Sequence, residues 1–131
     1  MHSRPKPGQN AAMVMLQRPF VYKILSAEDW RVAETLGYSK TALDEGDGYV
    51  HLSTRAQVAE TLSLHYHGQA DVRLMEYVAE EMSGPVRWEA RRGGQLFPHL
   101  YSNLHIKAAK RVWVLELGPD DVPRLPADID T

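Results

Sequence analysis

Apolar positions change period several times between residues 21 and 117, and each change marks the start or end of an element. Val21-Tyr22-Lys23-Ile24-Leu25 is a short β-prone run. Ser26, with Asp29 three residues later, has the spacing of a helix-opening cap, and Gly37 closes that helix because a residue without Cβ enters the left-handed conformation at little cost. Residues 41–48 mix Asp44, Glu45, Gly46, Asp47 and Gly48 and predict a loop, followed by a strand over residues 49–52. Ser53 or Thr54 then opens a second helix. Thr54-x-x-Gln57 forms its capping box, Val58, Leu62 and His65 or Tyr66 share one face, and Gly68 stops it. Alternation over residues 72–78 predicts a strand interrupted by Glu76, and Gly84-Pro85 turns the chain into another over residues 86–89. Residues 91–95 form a glycine-containing loop, residues 97–101 a proline-stiffened loop, and residues 110–117 the last strand.

The order strand, helix, strand, helix, strand, strand, loop, strand is an α+β mixture without the regular alternation of a doubly wound sheet. Residues 1–19 carry Pro5, Pro7, Gly8 and Pro19 without a sustained period and are expected to form a mobile arm, within which Met13 and Met15 offer alternative starts. Residues 118–131 are expected to be an acidic, proline-containing tail, which leaves 20–117 as a single domain.

Composition narrows the function classes. A chain of 131 residues with 44% hydrophobic content can close one core without staples, and the absence of cysteine excludes disulfides, thiolate metal sites and cysteine nucleophiles. Fifteen basic against seventeen acidic residues, neither sign in a block, argue against nucleic-acid or anionic-membrane partners. No apolar run approaches the roughly 20 residues of a membrane span. Residues 11–16 are too short for a secretory signal core, so a cytoplasmic location is expected.

Candidate chemistry gathers at three places. His51 ends a predicted strand, where an imidazole either meets a ligand or satisfies a buried carbonyl. Trp88-Glu89 sets an aromatic wall beside a carboxylate able to steady a developing cation, and a core tryptophan with an outward glutamate is the alternative. Phe97-Pro98-His99-Leu100-Tyr101 fixes an imidazole and a phenol beside a locked backbone, or plugs the core with its rings. Arg91-Arg92-Gly93-Gly94 offers guanidinium forks to a phosphate but matches no phosphate-loop pattern.

Tyr22-Lys23-Ile24, Trp30, Asp47-Gly48-Tyr49-Val50-His51-Leu52-Ser53, Gln57-Val58-Ala59-Glu60-Thr61, Trp88-Glu89 and Phe97-Pro98-His99-Leu100-Tyr101, in this order, resemble the signature of the bacterial domain-of-unknown-function 952 family over about residues 20–117. The resemblance implies a fold similar to the ADP-ribosyltransferase superfamily, with two small bent sheets, mixed or antiparallel, two or three helices and an NAD-binding cleft. It also implies roles. Tyr22, Lys23, Ser53, Trp88 and Tyr101 would bind NAD as substrate, and Glu89, His51 and His99 would be catalytic, with Glu89 acting on the reacting ribose. No resident metal is expected, and any protein acceptor is unspecified. Two other classes stay open: a non-catalytic ligand- or protein-binding module using the same residues, and a metal-dependent hydrolase in which His65-x-His67 joins His51, His99 or Glu89.

Overall fold

Ser26 separates the first strand, β1 (Phe20–Leu25), from the first helix, α1 (Ala27–Leu36), because its hydroxyl accepts the Asp29 N–H at 3.1 Å. Gly37, at φ 87°, returns its own N–H to the Ala33 carbonyl and ends the helix. These details belong to a computed structural model that describes residues 20–131. The arm expected over 1–19 lies outside the described residues.

Residues 41–48 correct the loop expectation. They form a six-residue helix, α2 (Ala42–Asp47), opened by Thr41, whose hydroxyl accepts the Asp44 N–H, and closed by Gly48 at φ 83°. Acidic residues and Gly46 hide so short a helix from periodicity, and its two caps hold it. Strands β2 (Val50–His51) and β3 (Ser53–Thr54) follow. The Thr54–Gln57 capping box is present and opens a 3₁₀ turn that runs directly into α3 (Val58–His65). The remaining strands are β4 (Arg73–Val78), β5 (Val86–Ala90), β6 (Leu96–Leu100) and β7 (Arg111–Val114).

Among the described residues, seven strands build two antiparallel sheets, ordered β3-β1-β4-β7 and β2-β6-β5, with three α-helices against them. Residues 96–100, which overlap the stiff loop expected over 97–101, are therefore the central strand of the smaller sheet. Proline is tolerated there for a specific reason. The Pro98 carbonyl accepts the Leu52 N–H at 3.1 Å, so its ladder side faces the end of the two-residue β2, and the missing N–H breaks no bond to β5.

Both faces of the larger sheet are covered, which explains why β4 is buried nearly throughout instead of alternating. One face sets Val21, Leu25, Met75 and Tyr77 against Ala33 of α1 and against Val50, Leu52 and Leu100 of the β2-β3 segment and β6. The other sets Tyr22, Ile24 and Leu74 against Val58 and Leu62 of α3. Leu62 is wholly buried, a contribution of about 1.5–3 kcal/mol from removing its apolar surface from water.

Residues 118–131 do not trail away as a tail; they fold back over the α3 side. Ile129 is buried in the second cluster with Val122 and Leu125 packed beside it. Arg124 N–H donates to the Glu116 carbonyl at 2.8 Å, and the Trp113 indole N–H donates to Asp128 at 3.0 Å. Three apolar side chains spaced among aspartates and prolines are enough to seat the segment, a pattern that composition conceals. No helix of the described residues is long and apolar enough to cross a membrane.

Candidate functional site

Strand geometry decides which candidate residues can meet. Successive side chains on a strand point to opposite faces, so Arg87 and Glu89 on β5 share a face with Phe97, His99 and Tyr101, while His51, paired with His99, joins them from β2. Tyr49, two residues before His51, completes the set. All project from the outer face of the three-stranded sheet, away from the core that Val50, Leu100 and Val86 enter on the inner face.

Tyr49 organises this face. Its ring stacks on His99 with centroids 4.1 Å apart and planes 26° from parallel, and it lies 4.6 Å from the His51 ring and 5.3 Å from that of Tyr101. Its hydroxyl accepts a hydrogen bond from Arg91 at 3.0 Å. Beneath it, His99 is 2% exposed. His99 Nδ1 donates to Glu89 Oε1 at 2.7 Å, since an ionised carboxylate only accepts, and the Tyr101 hydroxyl donates to the same oxygen at 2.8 Å. The bond from His99, and secondarily that from Tyr101, holds the Glu89 carboxyl below its ordinary range. Conversely, donation to Glu89 pushes the Tyr101 phenol up. The Glu89 side chain remains 37% exposed, so this ionised group is accessible to a ligand. The Arg87 guanidinium lies over the Tyr101 ring at 4.6 Å, which places positive charge at the edge of the face.

A second set of ionised groups stands behind His51. Asp44 of α2 accepts from His51 Nδ1 at 2.6 Å and from the His51 backbone N–H at 3.1 Å, and its other oxygen takes Lys23 Nζ at 2.8 Å. Asp47 takes His51 Nε2 at 2.9 Å. Burial alone would raise the Asp44 carboxyl, but the His51 bond and the Lys23 charge outweigh it and bring the group down to about 2. Lys23, only 4% exposed, is pushed below its ordinary value by burial, with Asp44 opposing. Lys23 also donates to the His51 carbonyl at 3.0 Å, so it locks the strand bearing His51 rather than reaching outward.

The predicted site residues thus separate. His51, Glu89, His99 and Tyr101 come together, with Lys23 buried behind them. Trp88 does not join Glu89: its neighbouring position turns it to the other face, where it lines a separate cleft with Tyr22. Tyr22 is itself nearly buried and donates to Glu76 at 2.9 Å. Ser53 is buried, with its hydroxyl 3.4 Å from that of Thr61, and lies in a packing role. Arg91 to Gly94 forms the tight β5-β6 turn, in which the Arg91 and Gly94 amides bond within the turn and are not presented to a phosphate. Sequence reasoning missed Asp44 and the organising role of Tyr49. The Thr41-x-x-Asp44 spacing ahead of Gly48 was the available signal for α2, and nothing local announced that its aspartate would meet a lysine 21 residues earlier.

Among the described residues, no group of three or more histidines, cysteines or acids is arranged to hold a metal ion. His65 and His67 are exposed at the end of α3 and beyond it, and they form no ligand set with His51, His99 or Glu89.

Known proteins place this geometry in context. The crystal structure of protein CC0527 from Caulobacter crescentus is similar to this chain at 40% identity with a TM-score of 0.75, over 81% of this chain and 94% of that one. Its solution NMR structure is similar at 40% identity with a TM-score of 0.71, over 81% and 92%. No curated protein matches the chain. The family model described as "Protein of unknown function (DUF952)" matches residues 24–112, which hold most of the described elements and the whole outer face, and the chain belongs to that family.

Proposed function

We propose that the outer face of the three-stranded sheet binds NAD or a related nucleotide, in the manner of an ADP-ribosyltransferase-like enzyme, with Glu89 as the group that acts on the ribose. The observation that carries this reading is the Glu89 carboxylate: accessible, held ionised by His99 and Tyr101, and set beside a tyrosine-histidine stack. A fixed negative charge of that kind stabilises an oxocarbenium-like transition state. In this reaction the bond from ribose C1′ to the nicotinamide nitrogen breaks, both electrons leave with nicotinamide, and water or another nucleophile bonds to C1′ and gives up its proton. Arg87 and Arg91 supply positive charge for the phosphates. His99 lies under Tyr49, and His51 is gripped at both nitrogens, so these two histidines position Tyr49 and Glu89 instead of touching substrate.

The same grip on His51 favours a second reading, a binding module without turnover, because both ring nitrogens are already engaged by carboxylates. Calorimetric titration with NAD and ADP-ribose, followed by chromatographic detection of nicotinamide, separates the two. Binding with nicotinamide release that Glu89→Gln abolishes supports the enzyme. Saturable binding without release supports the module, and no binding of either nucleotide removes the nucleotide-processing reading.

A further inference from the structure

The cleft into which Trp88 turns is a different place from the face just described. It has a volume of about 410 Å³ and is lined by Phe20, Thr54, Arg55, Trp88, Arg111 and Asp130, among others. That volume suits a ligand of one or two rings. Phe20 and Trp88 are the unusual members. These two large aromatic side chains leave 42% and 43% of their surface exposed, and both border the cleft.

The charge in the cleft has a clear pattern. Arg111 is committed: its guanidinium bonds both oxygens of the buried Glu76 at 2.9 and 2.8 Å and the carbonyls of Asp128 and Ile129 at 2.8 and 2.7 Å. Arg55 is held otherwise. Its partner is Asp130, in a two-pronged pair at 2.8 and 2.9 Å, and the Asp130 side chain is 70% exposed. A pair so open to water contributes little and is displaceable. Asp130 thereby marks where a carboxylate fits on Arg55, beside two exposed aromatic rings.

We propose that this cleft is a binding site for a small aromatic carboxylate, whose ring packs on Trp88 and Phe20 and whose carboxylate takes the place of Asp130 on Arg55. Asp130 is then a tethered competitor, and the folded-back segment 118–131 sets the affinity of the site. No feature of the Glu89 face enters this inference.

The test uses 2-naphthoate as probe and the full chain labelled with ¹⁵N, with the Trp88 indole resonance assigned through Trp88→Phe. Saturable displacement of that resonance by 2-naphthoate is expected. Asp130→Asn removes the competitor and is expected to tighten binding about fivefold, the factor that an exposed ion pair of the upper ordinary strength would represent. Arg55→Gln is expected to weaken binding at least tenfold, and uncharged 2-naphthamide to bind correspondingly worse. Glu89→Gln is expected to change nothing, so failure of the nucleotide reading leaves this result untouched. The proposal is overturned if millimolar 2-naphthoate leaves the Trp88 indole unmoved in both wild type and Asp130→Asn. It is equally overturned if Asp130→Asn fails to tighten binding, or if 2-naphthamide binds as well as the acid.

Discussion

Replacing Asp44 by Asn is the most informative perturbation of the candidate site, because one carboxylate neutralises Lys23, orients His51 and receives the His51 amide. Asparagine keeps the shape and removes the charge. The Lys23 ammonium, 4% exposed, would then retain the His51 carbonyl as its bonded partner among those the structure shows. Removing one member of a buried ion pair typically costs about 3–5 kcal/mol, roughly a fifth or more of the stability of an ordinary domain. A second magnitude comes from titration. The drop of the Asp44 carboxyl from 3.8 to about 2, at 1.36 kcal/mol per pH unit, corresponds to roughly 2.5 kcal/mol. Since the folded value is depressed, that contribution is fully present above about pH 5 and is lost progressively as pH falls through 2. Urea denaturation followed by circular dichroism should therefore show Asp44→Asn losing about 3–5 kcal/mol at neutral pH. The gap to wild type should narrow by roughly 2 kcal/mol between pH 5 and pH 2. Adding Lys23→Met to Asp44→Asn should recover much of the loss, because no unpaired buried charge then remains. A loss below about 1 kcal/mol for Asp44→Asn, or a double variant no more stable than the single one, would show that the pair does not hold the strand as described.

Gly48→Ala should destabilise the protein by about 1 kcal/mol in the same assay: no atom lies within 4 Å of the added Cβ, so the cost is confined to the left-handed backbone at φ +83°. Burial pushes the Tyr22 and Tyr77 phenols up, and that of Tyr66 up to about 12, so absorbance titration should find these three silent near pH 10 and ionising only as the protein unfolds. Their contribution to stability is full below pH 10 and is lost as pH climbs through the raised folded values; phenolate appearing from all six tyrosines at pH 10 in folded protein would refute the burial argument.

Local chemistry determined a good part of this protein from sequence alone. Ser26, Gly37 and the Thr54–Gln57 box set element boundaries through bonds spanning three or four residues, and such signals survive without tertiary context. The same locality made His51, Glu89, His99 and Tyr101 candidates for one site, and strand alternation already separated Trp88 from Glu89 in principle. Tertiary structure decided the rest. The helix Ala42–Asp47 is too short for a period, yet it delivers Asp44 to a lysine on β1. Leu96–Leu100 reads as a stiff loop until β2 and β5 flank it and the Pro98 carbonyl finds Leu52. Residues 118–131 look like a solvated tail until Ile129 meets the apolar face of α3 and Asp130 meets Arg55. In each case the deciding interaction joins residues far apart in the chain, and its free energy exists only once the sheets have brought them together.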